Sequence, residues 1–404
     1  MNQTFVDRIN AQMAYEFART EPPHGFPKLP DLPLGRYTDE AFWQLEKDHL
    51  FRKSWMFAGH VTEFPELGSY RTLDMAGMPV LVVRGSDDVY RAFFNACRHR
   101  GAPVVRDECG TCELMACQYH SWTYDHAGRL VFVPDQRDFV GLQVEERSLV
   151  PLRCERWGAF VFVNADQDAE PLLDHLGPLT TELDNIANAD LRVLARVTTT
   201  HRCNWKIMAE GFLEVYHAKT IHPETVAGAL RPGGAAISLI RHGHTRMLTP
   251  LTERAMNYER EDRAGLPQIP DLSELFFTTN PAYGIFPNLI TPLDSRGFPL
   301  LQFWPEAKDR TRLERVWLAP AEGVEPRHPV WDVRLAGFEV VMEEDTKNLV
   351  PVQVAVEAAA HSGIPLNYQE RRIWHVHTTI DAVIGRDRVP DHLAVPDLLG
   401  DWVD

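Results

Sequence analysis

The sequence predicts an α+β protein with two domains, a β-rich one over residues 55–166 and a larger domain of mixed helices and strands over 167–404. Three observations predict it. A chain of 404 residues, 44% of them hydrophobic, can fill more than one core, since a single core stops growing near ~250–300 residues. From Trp55 to about Asp166 the pattern is one of short strands between turns. Beyond that point strand and helix patterns mix, and two helical stretches close the chain.

Taken in order, residues 1–54 read as an amino-terminal helical segment that packs on the larger domain. It comprises a short helix, a connector over 21–35 made extended by Pro22, Pro23, Pro27, Pro30 and Pro33, and a helix over Tyr37 to Trp55. Strands follow at Met78 to Val83 and Val89 to Asn95 around a Gly85-Ser86-Asp87-Asp88 turn, then at Leu130 to Val133 and Ala159 to Asn164. In the larger domain strands are expected at Val197 to Cys203, Gly284 to Thr291, Leu300 to Trp304 and Leu313 to Leu318. Helices are expected over about Pro329 to Ala360 and Asn367 to Ile384.

Composition excludes several classes. A net charge of −16 repels a phosphate backbone and an anionic lipid surface, so neither nucleic acid nor membrane is an expected partner. No window reaches the ~18 apolar residues of a membrane span, and residues 1–22 lack the apolar core of a secretory signal. Six cysteines, two of them claimed by the motif below, point to a reducing, cytoplasmic compartment. There is no Gly-rich dinucleotide or nucleoside triphosphate fingerprint.

The chemistry begins with Cys97-Arg98-His99 and, after seventeen intervening residues, Cys117-Gln118-Tyr119-His120. Two thiolates and two imidazoles in paired half-motifs fit a Rieske [2Fe–2S] cluster, in which Cys97 and Cys117 hold one iron and His99 and His120 the other. Cys109 and Cys112 lie between the half-motifs, so a zinc site with Cys97 or Cys117 is the competing reading. It predicts a colourless, zinc-stapled binding protein.

A second constellation runs from Asn204 to Pro223 and carries His217 and His222. On a regular helix Trp205, Met208, Ala209 and Phe212 share one face and Glu210, Glu214 and His217 nearly the opposite one, at 100° per residue. Five residues apart, the two histidines would diverge by some 140°, so a helix ending or distorted near Thr220 is needed to bring both to one metal. Phe338, Val341, Met342, Leu349 and Val352 form an apolar stripe, and Asp345 occupies a position that the stripe expects to be apolar. A buried ionised carboxylate needs a cation or strong hydrogen bonds. Two histidines and one aspartate are the facial triad of non-haem Fe(II) oxygenases. Glu343, Glu344 and Lys347 lie off the stripe and read as solvated. The pairs His242/His244 and His375/His377 have no third donor nearby and read as ordinary core or surface histidines. Phe276, Phe277, Tyr283, Phe286, Phe303 and Trp304 read mostly as core, with one or two expected to face the iron in an apolar pocket or, through Trp and Tyr, in an aromatic cage for a quaternary ammonium group.

Residues 95–101 and 117–124 resemble the Rieske loops of ring-hydroxylating oxygenases, and residues 204–223 and 344–353 resemble the iron-binding segments of their α subunits. Gln118 and Ser121 depart from the family, which usually has Pro and Gly there. The resemblance implies a helix-grip catalytic domain, an antiparallel sheet with covering helices, in which His217, His222 and Asp345 bind a mononuclear Fe(II). It also implies that Glu214, where many members have Asp, is the catalytic acid that bridges the two redox centres, from His217 of one subunit to His120 of its neighbour in a head-to-tail homotrimer. Electrons would come from a partner reductase carrying NAD(P)H and flavin, with or without a ferredoxin, to activate O2 for hydroxylation of a small aromatic or alicyclic substrate. Glu214 is also found in the branch that acts on quaternary ammonium compounds such as carnitine and glycine betaine, so oxidation of such a compound is the alternative. A Rieske electron carrier or redox sensor is the reading of another class; the roughly 240 residues beyond the β-rich domain, with a full His/His/Asp set, oppose it.

Overall fold

The computed structural model describes residues 1, 3–260 and 265–404. It divides into two compact units, Phe51–His175 and a second made of Met1–Leu50 with Leu176–Asp404. Residues 167–175, read from sequence as part of the larger domain, belong to the strand-rich unit. Among the described residues no helix is long and apolar enough to cross a membrane.

The strand-rich unit is built on a seven-stranded sheet in the order Met56–His60, Phe160–Asn164, Pro151–Trp157, Tyr90–Phe94, Met78–Arg84, Ser69–Met75, Cys109–Thr111. Every pairing in it is antiparallel. Val80, Leu81, Val82 and Val83 are all fully buried, so this strand is covered on both faces and shows a continuous apolar run instead of alternation. A three-stranded sheet of Met115–Ala116, Thr123–Tyr124 and Leu130–Phe132 stands apart from it in hydrogen bonding. Tyr124, Trp122, Met115 and Leu130 from this small sheet join Leu81, Val83 and Phe93 in one core with Cys97 and Cys117.

In the larger unit another antiparallel sheet runs Leu191–His201, Arg310–Pro320, Phe298–Ala307, Leu289–Pro292, Thr279–Ile285, Thr245–Pro250, Ala236–Leu239. Two long helices, Val330–Glu357 and Arg371–Ile384, follow it in sequence. The single strand expected over 284–291 is a hairpin. Ile285 pairs with Leu289, because Pro287 has no N–H to offer a ladder and Asn288 turns its amide onto the Phe303 carbonyl at 3.3 Å. Nor is 37–55 one helix. It is split into Gly35–Thr38 and Glu40–Leu45, followed by a π-turn at Glu46–Leu50. Asp39 restarts it as an N-cap, its side chain accepting from Phe42 N at 2.8 Å; such a cap satisfies a donor that would otherwise be orphaned.

Candidate metal centres

The Cys/His site sits on two loops of the same design. The first leaves strand Tyr90–Phe94 and is closed by Asn95, whose Oδ1 accepts from Val104 N at 2.9 Å and Val105 N at 3.1 Å while its amide donates to Val105 O at 2.8 Å. The second is the tip of the small-sheet hairpin, closed by Cys117 N donating to Trp122 O at 3.0 Å. In each loop the residue four beyond the cysteine donates back to its carbonyl, Gly101 to Cys97 at 2.9 Å and Ser121 to Cys117 at 2.8 Å. Both turns need a left-handed residue, Gly101 at φ +78° and Ser121 at φ +56°. Glycine enters that region freely, whereas for serine it costs ~1–2 kcal/mol.

Those turns bury both sulfurs and leave both rings at the rim. Cys97 and Cys117 are buried and His99 and His120 half-buried, and the two rings stand edge to face with centroids 4.5 Å apart. Burial pushes the Cys97 thiol up, opposed by the Tyr124 hydroxyl 3.4 Å from its sulfur and by the His99 amide, and reinforced by the adjacent Cys117. A pair of such thiols becomes a pair of thiolates only beside strong positive charge. Burial, then His120 and Arg100, hold His99 below the usual imidazole value. Its ring stacks on Trp122 at 5.0 Å, and its Nδ1 is buried with no hydrogen-bond partner among the described residues. An orphaned lone pair beside two buried sulfurs fits a [2Fe–2S] cluster. Cys109 is exposed and lies on an edge strand, whereas Cys97 and Cys117 are buried.

The second donor set is assembled differently. Asn204 caps helix Trp205–Glu210 by accepting from Lys206 N at 3.0 Å, and this helix ends at Glu210, so the expected continuous face through His217 does not form. Instead His217 and His222 flank a single turn, Ala218–Ile221. That brings their rings to 5.3 Å between centroids. Asp345 comes from helix Val330–Glu357, whose buried stripe is Met342, Asp345, Leu349, Gln353 and Val356. Val352, expected in that stripe, is 40% exposed and Gln353 takes its place. Gln353 Oε1 accepts from Asn204 N at 2.8 Å, which registers the carboxylate helix against the histidine segment.

One ligand atom each from His217, His222 and Asp345 lies within 4.8 Å of the others. Asp345 Oδ1 is 2.9 Å from His222 Nε2 and 3.6 Å from His217 Nε2. Each ring is held from behind. Glu214 Oε1 bonds His217 Nδ1 while its Oε2 accepts from the His217 amide at 3.1 Å, and Glu344 Oε2 bonds His222 Nδ1 at 2.7 Å. A carboxylate on Nδ1 fixes the tautomer that leaves Nε2 free for a metal. Glu344, read from sequence as solvated, is thus a positioning residue, steadied by the Thr225 hydroxyl at 2.6 Å. Its one-residue offset from Asp345 turns it toward the far side of the same ring. Burial lowers His222, but Asp345 and Glu344 outweigh it and hold it above the usual imidazole value. A site that attracts a proton this way is built for a cation.

A cavity of about 410 Å³ opens on this triad. Its rings are Phe212, Tyr258 and Phe338, and its walls include Val226, Leu230, Met247, Leu251, Leu301 and Met342. The one or two expected from sequence to face it do not: none of those six aromatic residues lines the cavity. Phe276, Tyr283, Phe286, Phe303 and Trp304 are core, because they sit on strands and turns whose side chains meet other elements. Of the histidine pairs, His375 Nε2 donates to the Ile240 carbonyl at 2.8 Å and His244 Nδ1 accepts from Phe286 N at 3.1 Å. Both are structural.

Residues 54–150 match the family described as Rieske [2Fe-2S] domain, and residues 188–386 match that described as ring hydroxylating alpha subunit (catalytic domain). The chain is 33% identical over 194 residues to the carnitine monooxygenase oxygenase subunit of Escherichia coli K12, covering 48% of this chain and 52% of that protein. It is 36% identical over 190 residues to the biphenyl 2,3-dioxygenase subunit alpha of Rhodococcus jostii RHA1, covering 46% and 41%. The aligned regions span about half the length of these curated relatives. The crystal structure of the quaternary ammonium Rieske monooxygenase CntA shares the fold, with TM-score 0.76 at 22% identity over 91% of this chain and 99% of that one. With a Rieske [2Fe–2S] domain and a ring-hydroxylating catalytic domain in one polypeptide, the chain belongs to the α subunits of the Rieske non-haem iron oxygenases.

Proposed function

We propose that this chain is the oxygenase subunit of a cytoplasmic multicomponent system that oxidises a small quaternary ammonium compound with O2. The cavity carries this reading. Besides Asp345 it presents the carboxylates of Glu214 and Glu259 and the rings of Phe212, Tyr258 and Phe338, and among its described lining residues there is no lysine or arginine. Acid and aromatic faces attract a desolvated cation, and the volume suits a small molecule. Carnitine monooxygenase and glycine betaine monooxygenase subunits are among the relatives. Hydroxylation of an aromatic or alicyclic ring is the second reading, favoured by the apolar walls and by the biphenyl dioxygenase relative.

When bound, a cluster on Cys97, His99, Cys117 and His120 supplies single electrons and an iron on His217, His222 and Asp345 supplies O2 activation. The protein does the rest. Glu214 and Glu344 keep Nε2 of each histidine aimed at one point, the apolar walls exclude water, and the rings hold the substrate against the triad. Glu214 has a second task in this reading, as the link from His217 to His120 of a neighbouring subunit in a ring-shaped trimer. Electrons enter from an NAD(P)H-dependent flavin reductase, directly or through a ferredoxin.

The test is oxygen uptake by the iron-loaded protein with a reductase and NAD(P)H. Choline, carnitine and glycine betaine are compared with toluene and with the neutral tert-butyl isostere of choline. Uptake coupled to product with a quaternary ammonium compound and not with the isostere supports the proposal. Coupled turnover of toluene alone would move the assignment to ring hydroxylation.

A further inference from the structure

One short helix, Glu253–Arg260, stands between two cavities of different character. At 100° per residue Ala255, Tyr258 and Glu259 share one face, and these residues line the cavity over the triad. Arg254 and Asn257 lie on the adjoining face and line a second cavity of about 830 Å³. Ala255 and Tyr258, on the edge that the two faces share, line both cavities, as do Thr225 and Ala229 of the segment after His222. Glu224, Thr225, Arg254, Asn257 and Tyr258 are exposed, so the second cavity faces solvent and abuts the first at the four residues they have in common.

The charge of the walls changes where the cavities meet. The inner one presents the carboxylates of Asp345, Glu214 and Glu259 with no lysine or arginine among its described lining residues, whereas the outer one carries the guanidinium of Arg254. On its own helix the positions three and four beyond Arg254 are Asn257 and Tyr258, so no carboxylate stands there to pair with it. Among the described residues the Arg254 guanidinium and the Asn257 amide have no hydrogen-bond or ion-pair partner, and Glu224, the acid on the outer wall, does not pair with Arg254. A free guanidinium fork beside a free amide donor matches the two oxygens of a carboxylate.

Building on the reading that the inner cavity takes a quaternary ammonium group, we propose that Arg254, with Asn257 beside it, binds a carboxylate at the other end of the same molecule. The substrate is then a zwitterion that lies across both cavities, its ammonium end at the triad and its carboxylate end at the mouth. The reverse orientation would set the substrate carboxylate against Asp345, Glu214 and Glu259. A cation without a carboxylate meets an uncompensated positive charge at Arg254, so the same residue that attracts the zwitterion disfavours the simple cation.

Carnitine and carnitine methyl ester test this, because they share the ammonium group and the carbon chain and the ester lacks the negative charge. Calorimetric titration of the purified protein reads binding without reductase or turnover. Since the guanidinium is exposed, the wild type should bind carnitine about 3–10-fold more tightly than the ester. In Arg254→Gln that ratio should fall to about one, and Arg254→Lys, which keeps the charge but not the fork, should hold an intermediate ratio. In turnover with a reductase the Arg254→Gln loss for carnitine should appear in KM and not in kcat. An unchanged melting midpoint in both variants separates loss of the contact from loss of fold. If both compounds bind but with the same ratio in the wild type and Arg254→Gln, the carboxylate subsite is overturned and the quaternary ammonium reading stands. If neither compound binds the wild type, both fall together.

Discussion

The two donor sets differ in how the chain builds them. The Cys/His set comes from two loops within 24 residues, from Cys97 to His120, and each loop closes on its own backbone. The His/His/Asp set joins segments more than a hundred residues apart and holds only because Gln353, Glu344 and Asp345 on one long helix engage Asn204 and His222. Local turns can therefore tolerate damage to the packing of the larger unit better than the triad can, and the triad depends on carboxylates that are not themselves ligands.

If the two sets are independent, the largest effects should be the cleanest. Cys117→Ser should abolish the cluster absorbance while leaving mononuclear iron, and Asp345→Ala should do the reverse, each removing turnover; metal analysis with electron paramagnetic resonance separates them. Loss of both metals from either change would show that the units are not built separately. Glu214→Gln keeps length but removes charge and one acceptor, so product formation should fall by roughly 10–100-fold with both metals loaded. Glu344→Gln should cost less, about tenfold in iron affinity, because the amide can still accept from His222 and Glu344 has no part in the proposed bridge between subunits. Product formation by the two variants, both iron-loaded, ranks them; equal losses would mean that Glu214 does nothing more than orient His217. The smallest effect belongs to the loops. Ser121→Gly should stabilise the strand-rich unit by about 0.5–1 kcal/mol, relief of left-handed strain less the extra freedom of the unfolded chain, seen as a raised melting midpoint. Gly101→Ser should lower it.

That contrast also governs what could be read in the sequence. The Cys/His loops were legible because ligand spacing, turn and burial are set within a few residues. Asp345 was legible as a polar residue where the helical stripe demanded an apolar one, and Gln353 sent the same signal but was hidden by its apolar neighbour Val352. Glu344 was misread because being off the stripe does not mean facing water when a histidine from another segment packs there. The run 204–217 carried a convincing helical period, yet the helix stops at Glu210 with Gly211 as its C-cap, a stop signal that periodicity alone does not weigh. The pocket rings were illegible for a plainer reason: which strand faces line a cavity is decided by sheet register and by the covering helices, so Phe212 and Phe338 line it and Phe303 does not.

The central claim is that one chain holds two separate iron sites on these named residues. Iron content and the electron paramagnetic resonance spectrum of anaerobically prepared protein, wild type beside His217→Ala, test it most directly. About three irons per chain and a Rieske signal are expected for the wild type, falling to about two with the signal unchanged in the variant. Zinc as the dominant metal in the wild type, or loss of the Rieske signal in His217→Ala, would contradict it.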